Sequence, residues 1–162
     1  MLIDRRTLIG SGMATAALAL IGANRLLAAA PAKFEVSFTD AEWQKRLSPS
    51  AYKVLRHEAT ERPFTSALLT EHRAGVFACA GCALPLFGSK TKYDSGTGWP
   101  SFYRPLPNAI GTTTDSTLGM ERVEVHCRRC GGHLGHVFDD GPPPTGKRYC
   151  MNGVAMKFVA KA

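Results

Sequence analysis

The chain has 162 residues, 44% of them hydrophobic and 20% charged, which fits one globular domain and excludes a multidomain assembly, a disordered chain or a collagen-like repeat. Its formal charge of +7 is spread without a polybasic run, so charge nominates no nucleic-acid partner.

Residues 1–32 read as an address. Arg5-Arg6-Thr7-Leu8-Ile9 precedes the apolar, Ala-rich stretch Gly10 to Gly22 and then Ala28-Ala29-Ala30, the layout of a twin-arginine export signal. The apolar run is about a dozen residues and mixes Gly, Ser and Thr with Leu and Ile, short of the roughly 20 that a spanning helix needs, so no permanent membrane span is expected. Cleavage fits after Ala30 or after Ala32, and the alternative is an uncleaved amphipathic helix. Beyond Ala30, 17 basic and 12 acidic residues leave a charge of about +5. The export route predicts a periplasmic location and a domain spanning 33–162.

In that domain Phe34 to Phe38 reads as extended. Thr39-Asp40-Ala-Glu42 then supplies a cap and an acidic first turn for a short helix ending on the basic side of Leu47. Ser48-Pro49-Ser50 opens a second helix, with Tyr52, Val54 and Leu55 apolar, which Thr60 to Pro63 ends. Beyond Phe64, Gly, Pro, Asn and Asp break the chain every few residues. Strands are predicted over Gly75–Cys79, Leu118–Cys127 and Val154–Val159, giving a mainly β domain with two short helices packed on it.

Five cysteines stand at 79, 82, 127, 130 and 150. Cys79-Ala-Gly-Cys82 and Cys127-Arg-Arg-Cys130 form a doubled C-x2-C, in which each pair can place two thiolates on one tetrahedral ion. Four thiolates leave no open position, so the reading is one structural zinc, with two disulfides as the alternative in an oxidising compartment. The 44 residues between Cys82 and Cys127 are too many for a small zinc ribbon, so the ion would staple two separate hairpins.

Cys150 is then left over, in Lys147-Arg148-Tyr149-Cys150-Met151-Asn152, where adjacent cations favour the thiolate. Upstream, His133 and His136 with Asp139 and Asp140 offer acid and base groups. Three other classes remain conceivable: a binding module in which Cys150 is dispensable, a zinc-dependent nucleic-acid module, and a disulfide oxidoreductase using one of the C-x2-C pairs.

The run Cys130-Gly-Gly-His133-Leu-Gly-His136-Val-Phe138-Asp139-Asp140-Gly-Pro, then Arg148-Tyr-Cys150-Met-Asn152-Gly, together with Ser95-Gly-Thr97-Gly-Trp99-Pro-Ser-Phe102, resembles the methionine sulfoxide reductase B family. The resemblance runs from about Phe38 to Val159. It implies two antiparallel sheets in a compact, zinc-stapled domain with N-terminal helices, and reduction of the R epimer of methionine sulfoxide in oxidised proteins. It implies Cys150 as nucleophile, with His133, His136 and Asn152 as the polar shell around it. Asp140 and Arg148 would support that shell, and Trp99 would receive the substrate methyl group beside a second aromatic, Phe102. Cys79, Cys82, Cys127 and Cys130 would hold the structural zinc. Many relatives carry a resolving cysteine where this chain has Thr97, so the reductant of oxidised Cys150 is expected to be an external thiol, thioredoxin-like or a membrane thiol relay.

Overall fold

The computed structural model describes residues 34–161; the twin-arginine segment expected over 1–32 lies outside the described residues. Helix α1, Asp40–Arg46, starts where Thr39 and Glu42 cap each other: the Glu42 amide reaches the Thr39 hydroxyl while the Glu42 carboxylate accepts from the Thr39 amide at 2.8 Å. Helix α2, Pro49–His57, has Ser48 as its cap and a proline in its first turn. It stops before the expected Thr60 because Glu58 takes a left-handed conformation, φ 54°, and closes the last turn on the Lys53 carbonyl. Ala51, Val54 and Leu55, at i, i+3 and i+4, form its buried stripe.

Two antiparallel sheets carry the rest. The smaller holds β1 (Gly75–Cys79), β2 (Pro85–Gly88) and β9 (Met156–Ala160), in the order β2-β1-β9. The larger holds β3 (Lys92–Tyr93), β4 (Ser101–Phe102), β5 (Ile110–Asp115), β6 (Arg122–Cys127), β7 (His133–Phe138) and β8 (Arg148–Met151), in the order β3-β4-β8-β7-β6-β5. Two strands are shorter than their apolar runs. β6 begins at Arg122 rather than Leu118, because the Asp115 carboxylate binds the Thr117 amide and hydroxyl and winds Thr117–Gly119 into a 3-10 turn. β9 begins at Met156 because Gly153–Ala155 forms another.

The core lies between the sheets. Phe77 of β1 and Phe87 of β2 meet Phe102 of β4, the Phe87 ring stacked at 4.4 Å and the Phe77 ring edge-on at 5.0 Å. All three rings are fully buried. Among the described residues no helix is long and apolar enough to cross a membrane.

Candidate active site and metal centre

The register of the large sheet aligns one residue from each strand. Tyr93 of β3 faces Ser101 of β4, Ser101 faces Cys150 of β8, Cys150 faces His136 of β7, His136 faces Glu124 of β6, and Glu124 faces Thr113 of β5. Directly opposed residues in a ladder point to the same side, about 5 Å apart, so this row places a thiol next to an imidazole on one face. A cavity of about 140 Å³ opens over it, with Cys150, His136, Trp99, Phe138, Asn152 and Arg122 on its walls.

In a regular strand two histidines three apart point to opposite faces. Here β7 carries one extra residue: Val125 pairs with Gly135 but the next residue, His126, pairs with His133, so Leu134 bulges out of the count. The bulge sends Leu134 into the core and turns His133 to the side of His136, the two rings edge-to-face at 5.4 Å. A glycine is required at 135, where a Cβ would lie 2.2 Å from the Cys150 carbonyl oxygen. His133 is buried and hydrogen-bonds Glu124 at 2.8 Å; it lines an adjoining polar groove and not the cavity over Cys150. His126, whose Nδ1 stands 3.8 Å from the carboxylate, and the hydrogen bond from His133 draw Glu124 down to about 2.

His136 bonds Asp115 through Nε2 at 2.7 Å. Bonds from the Thr117 hydroxyl and amide, and then from His136, hold Asp115 well below the usual carboxylate range. An ionised Asp115 can only accept, so Nε2 carries the proton and Nδ1 is the free nitrogen of the ring. Burial lowers the His136 pKa and outweighs the Asp115 hydrogen bond that raises it, which leaves a neutral imidazole at pH 7.

Arg148 stands two residues before Cys150 on the same strand face. Its guanidinium makes a two-pronged contact with Asp140, both arms 2.8 Å, and lies 4.3 Å from the centre of the Phe138 ring. Asp140 is thus a support of Arg148 and not a wall of the cavity. Lys147 pairs with Asp139 at the surface. Asn152 is buried with its amide in use: its side-chain nitrogen donates to the Leu134 carbonyl at 3.0 Å and its oxygen accepts from the Glu61 amide at 2.7 Å. These bonds brace the bulge, and Asn152 lines the cavity beside Cys150.

Trp99 lines the cavity and donates through its indole N–H to the Glu61 carbonyl at 2.9 Å. Phe102 corrects the sequence reading. Ser101 faces Cys150, so its neighbour Phe102 must face the other way, and its ring is the packed centre of the core. Phe138 is the second aromatic of the cavity. Sequence reasoning also passed over Glu61, whose backbone and carboxylate tie Trp99, Asn152 and Gly153 together, and over Asp115 and Glu124. Only Glu124 had a local signal, the alternation Arg122-Val-Glu124-Val-His126 beside a histidine-bearing strand.

The other four cysteines form a separate cluster. Cys79 ends β1 and Cys127 ends β6, and both knuckles have one hydrogen-bond pattern: the residue four on donates to the first cysteine's carbonyl, and the first cysteine donates to the carbonyl five on. The residues four on, Ala83 and Gly131, both take positive φ, 58° and 66°. Cys79 and Cys130 sulfurs are 3.7 Å apart, Cys82 and Cys127 sulfurs 3.5 Å, and all four lie within 4.8 Å of one another. Four sulfurs crowded this closely form a site in which a cation can replace the thiol protons. A Cβ on Gly81 would sit 3.7 Å from both the Cys79 and Cys130 sulfurs. All five cysteines are free thiols, so neither the two-disulfide pairing nor a C-x2-C disulfide is present.

The SelR domain model matches residues 47–160, which contain both sites. The chain belongs to that family. It is 51% identical over 126 residues to peptide methionine sulfoxide reductase MsrB of Leptospira interrogans, covering 77% of this chain and 96% of that protein. It is 52% identical over 125 residues to the MsrB of Agrobacterium fabrum, covering 76% and 93%, and 53% identical over 124 residues to that of Thiobacillus denitrificans, covering 76% and 94%. The matched SelR segment begins at Leu47 and takes in α2 and all nine strands.

Proposed function

We propose that the chain is a peptide-methionine (R)-S-oxide reductase whose nucleophile is Cys150. The observation that carries this is the pairing of Cys150 with His136 across β7 and β8 under a cavity walled by Trp99 and Phe138. Methionine sulfoxide is polar at oxygen and apolar at its methyl, so it needs an aromatic wall and a proton source on opposite sides of the sulfur. Neutral His136 takes the Cys150 thiol proton at Nδ1, the thiolate attacks the sulfoxide sulfur, and the imidazolium returns that proton to the sulfoxide oxygen. The oxygen ends on Cys150 as a sulfenic acid and methionine leaves, so thiol plus sulfoxide becomes sulfenic acid plus thioether with no proton gained or lost. Asp115 stabilises the imidazolium, and Asn152 and Glu61 keep the strands in register.

With the methyl on the aromatics and the oxygen on the histidine side, one face of the sulfur remains for Cys150, which supports selection of a single epimer, the R epimer by resemblance to the family. Turnover of each epimer of a methionine sulfoxide peptide with a chemical dithiol tests this; equal rates on both would overturn it.

The cysteine cluster fits one structural zinc. Zn–S bonds of about 2.3 Å set tetrahedral sulfurs about 3.8 Å apart, close to the 3.7 and 3.5 Å of the two nearest pairs. Such an ion joins the β1–β2 and β6–β7 turns, one from each sheet. Zinc needs reduced thiols, which a twin-arginine route for folded protein would allow to be loaded in the cytoplasm before delivery to the periplasm. With Thr97 beside Cys150 and the other thiols in the cluster, an external thiol relay, thioredoxin-like or membrane-borne, regenerates Cys150. Metal content of purified protein and the N-terminal sequence of its exported form test these two points.

A further inference from the structure

Behind Cys150 runs a chain of hydroxyls that the reaction above does not use. Thr97 Oγ1 lies 3.6 Å from the Cys150 sulfur, 2.8 Å from Ser95 Oγ, and Ser95 Oγ lies 2.7 Å from Ser101 Oγ. The far end has a fixed direction, because Ser101 Oγ is 3.1 Å from the Trp99 carbonyl, which can only accept. Each hydroxyl has one proton. Ser101 spends its proton on Trp99, so it accepts from Ser95; Ser95 then accepts from Thr97; and Thr97, its proton committed, accepts the S–H of Cys150. The resting chain therefore suits a thiol and offers nothing to a thiolate.

Only one rotor needs to turn to reverse that. When the thiol proton leaves for His136 or solvent, rotation of the Thr97 hydroxyl points its O–H at the sulfur, while the Thr97 amide, 3.5 Å from Ser95 Oγ, remains as a donor to Ser95. No heavy atom moves and the three hydroxyl protons are conserved. We propose that Thr97 is a further catalytic residue, a reserve donor that Ser95 and Ser101 hold off the thiol and that turns onto the sulfur when Cys150 ionises. It would serve the thiolate before attack and the sulfenic acid afterwards. It rests on Cys150 as the reacting group of the proposed reductase.

The proposal predicts effects of opposite sign at adjacent hydroxyls. Thr97→Val removes the donor to the thiolate. Ser95→Ala releases the Thr97 proton from its competitor, so Thr97 can donate to sulfur without cost. The readout is the pH dependence of iodoacetamide alkylation of Cys150, followed by mass spectrometry of its peptide in the full chain. The other charged and titratable groups around the sulfur are unchanged: His136 on β7, Arg148 on β8 with its partner Asp140 in the β7–β8 loop, Arg122 on β6 and Tyr93 on β3.

The midpoint should rise by about one pH unit in Thr97→Val, a tenfold smaller thiolate fraction at a given pH and the order expected of one charge-assisted hydrogen bond. It should fall in Ser95→Ala and stay at the wild-type value in Thr97→Ser. An unmoved midpoint in Thr97→Val, or shifts of the same sign in the two variants, overturns the proposal. Should Thr97→Val not fold, a Ser95→Ala midpoint at or above wild type does the same. Alkylation uses no sulfoxide, so expected shifts in a protein without sulfoxide turnover would sink the reductase reading, and with it the catalytic role of Thr97, while the donor switch at the Cys150 sulfur would stand.

Discussion

The molecule has two cysteine sites built on different principles. The four-thiol cluster is made of two short turns, each carrying its pair of sulfurs within four residues and each folded by the same local hydrogen bonds. The Cys150 site is a row across the strands, in which no two adjacent members share a strand. The first depends on local geometry and the second on register. That difference says where each is fragile: the cluster through its ligands, the row through anything that shifts one strand against the next.

The sharpest way to separate them is Cys150→Ser. It should abolish sulfoxide reduction, by a factor of about a thousand or more, with metal content and melting temperature unchanged, because the nucleophile is no part of the cluster. Measurable turnover with peptide sulfoxide would remove Cys150 from its role. The converse change, Cys79→Ser or Cys127→Ser, should lose the metal and lower the melting temperature, since binding energy at such a site is also folding energy. A metal-free variant with an unchanged melting curve would sever the cluster from stability.

Within the row, Asp115→Asn should cost about a hundredfold in kcat by freeing the His136 ring from one tautomer. Asp115 raises the His136 pKa, so its loss should also move the acid limb of the pH–rate profile to lower pH. An acid limb that rises or stays in place would contradict the assignment. Phe102 and Trp99 sharpen the division between core and cavity. Phe102→Ala should cost about 3–5 kcal/mol of stability in urea unfolding, leaving KM unchanged in the protein that remains folded. Trp99→Ala should raise KM instead. The smallest effect concerns Glu124. With its pKa lowered to about 2 from 4.5, its stabilisation is present above about pH 4.5 and is lost as the pH falls toward 2, so Glu124→Gln should flatten acid unfolding of the wild type across that window.

Thr97 offers one further test of whether the two sites are separate. Its Oγ1 is 3.6 Å from the Cys150 sulfur, so Thr97→Cys should form a disulfide with Cys150 after one equivalent of sulfoxide, seen by mass spectrometry, with the metal retained. The wild-type chain should instead yield a sulfenic acid that dimedone traps.

The sequence by itself determined what is local or carried by residue type. The capped starts of both helices, the paired cysteines at 79, 82, 127 and 130, the odd thiol at 150, and Trp99 and His136 near it are all legible from spacing, chemistry and family motifs. The tertiary structure decided what depends on register. A period of two says that Ser101 and Phe102 face opposite ways but not which of them meets Cys150, and the aromatic assigned to the cavity proved to be the core. Two histidines three apart should diverge on a strand, and only the bulge at Leu134 brings them to one face. Asp115, Glu61 and the Ser95–Thr97–Ser101 hydroxyls are distant from His136, Trp99 and Cys150 along the chain, or unremarkable beside them. Strand pairing sets Ser101 opposite Cys150, while Asp115 reaches His136 across the sheet and Glu61, Ser95 and Thr97 reach the site from loops through their own hydrogen bonds, and spacing along a single segment carries no information about either.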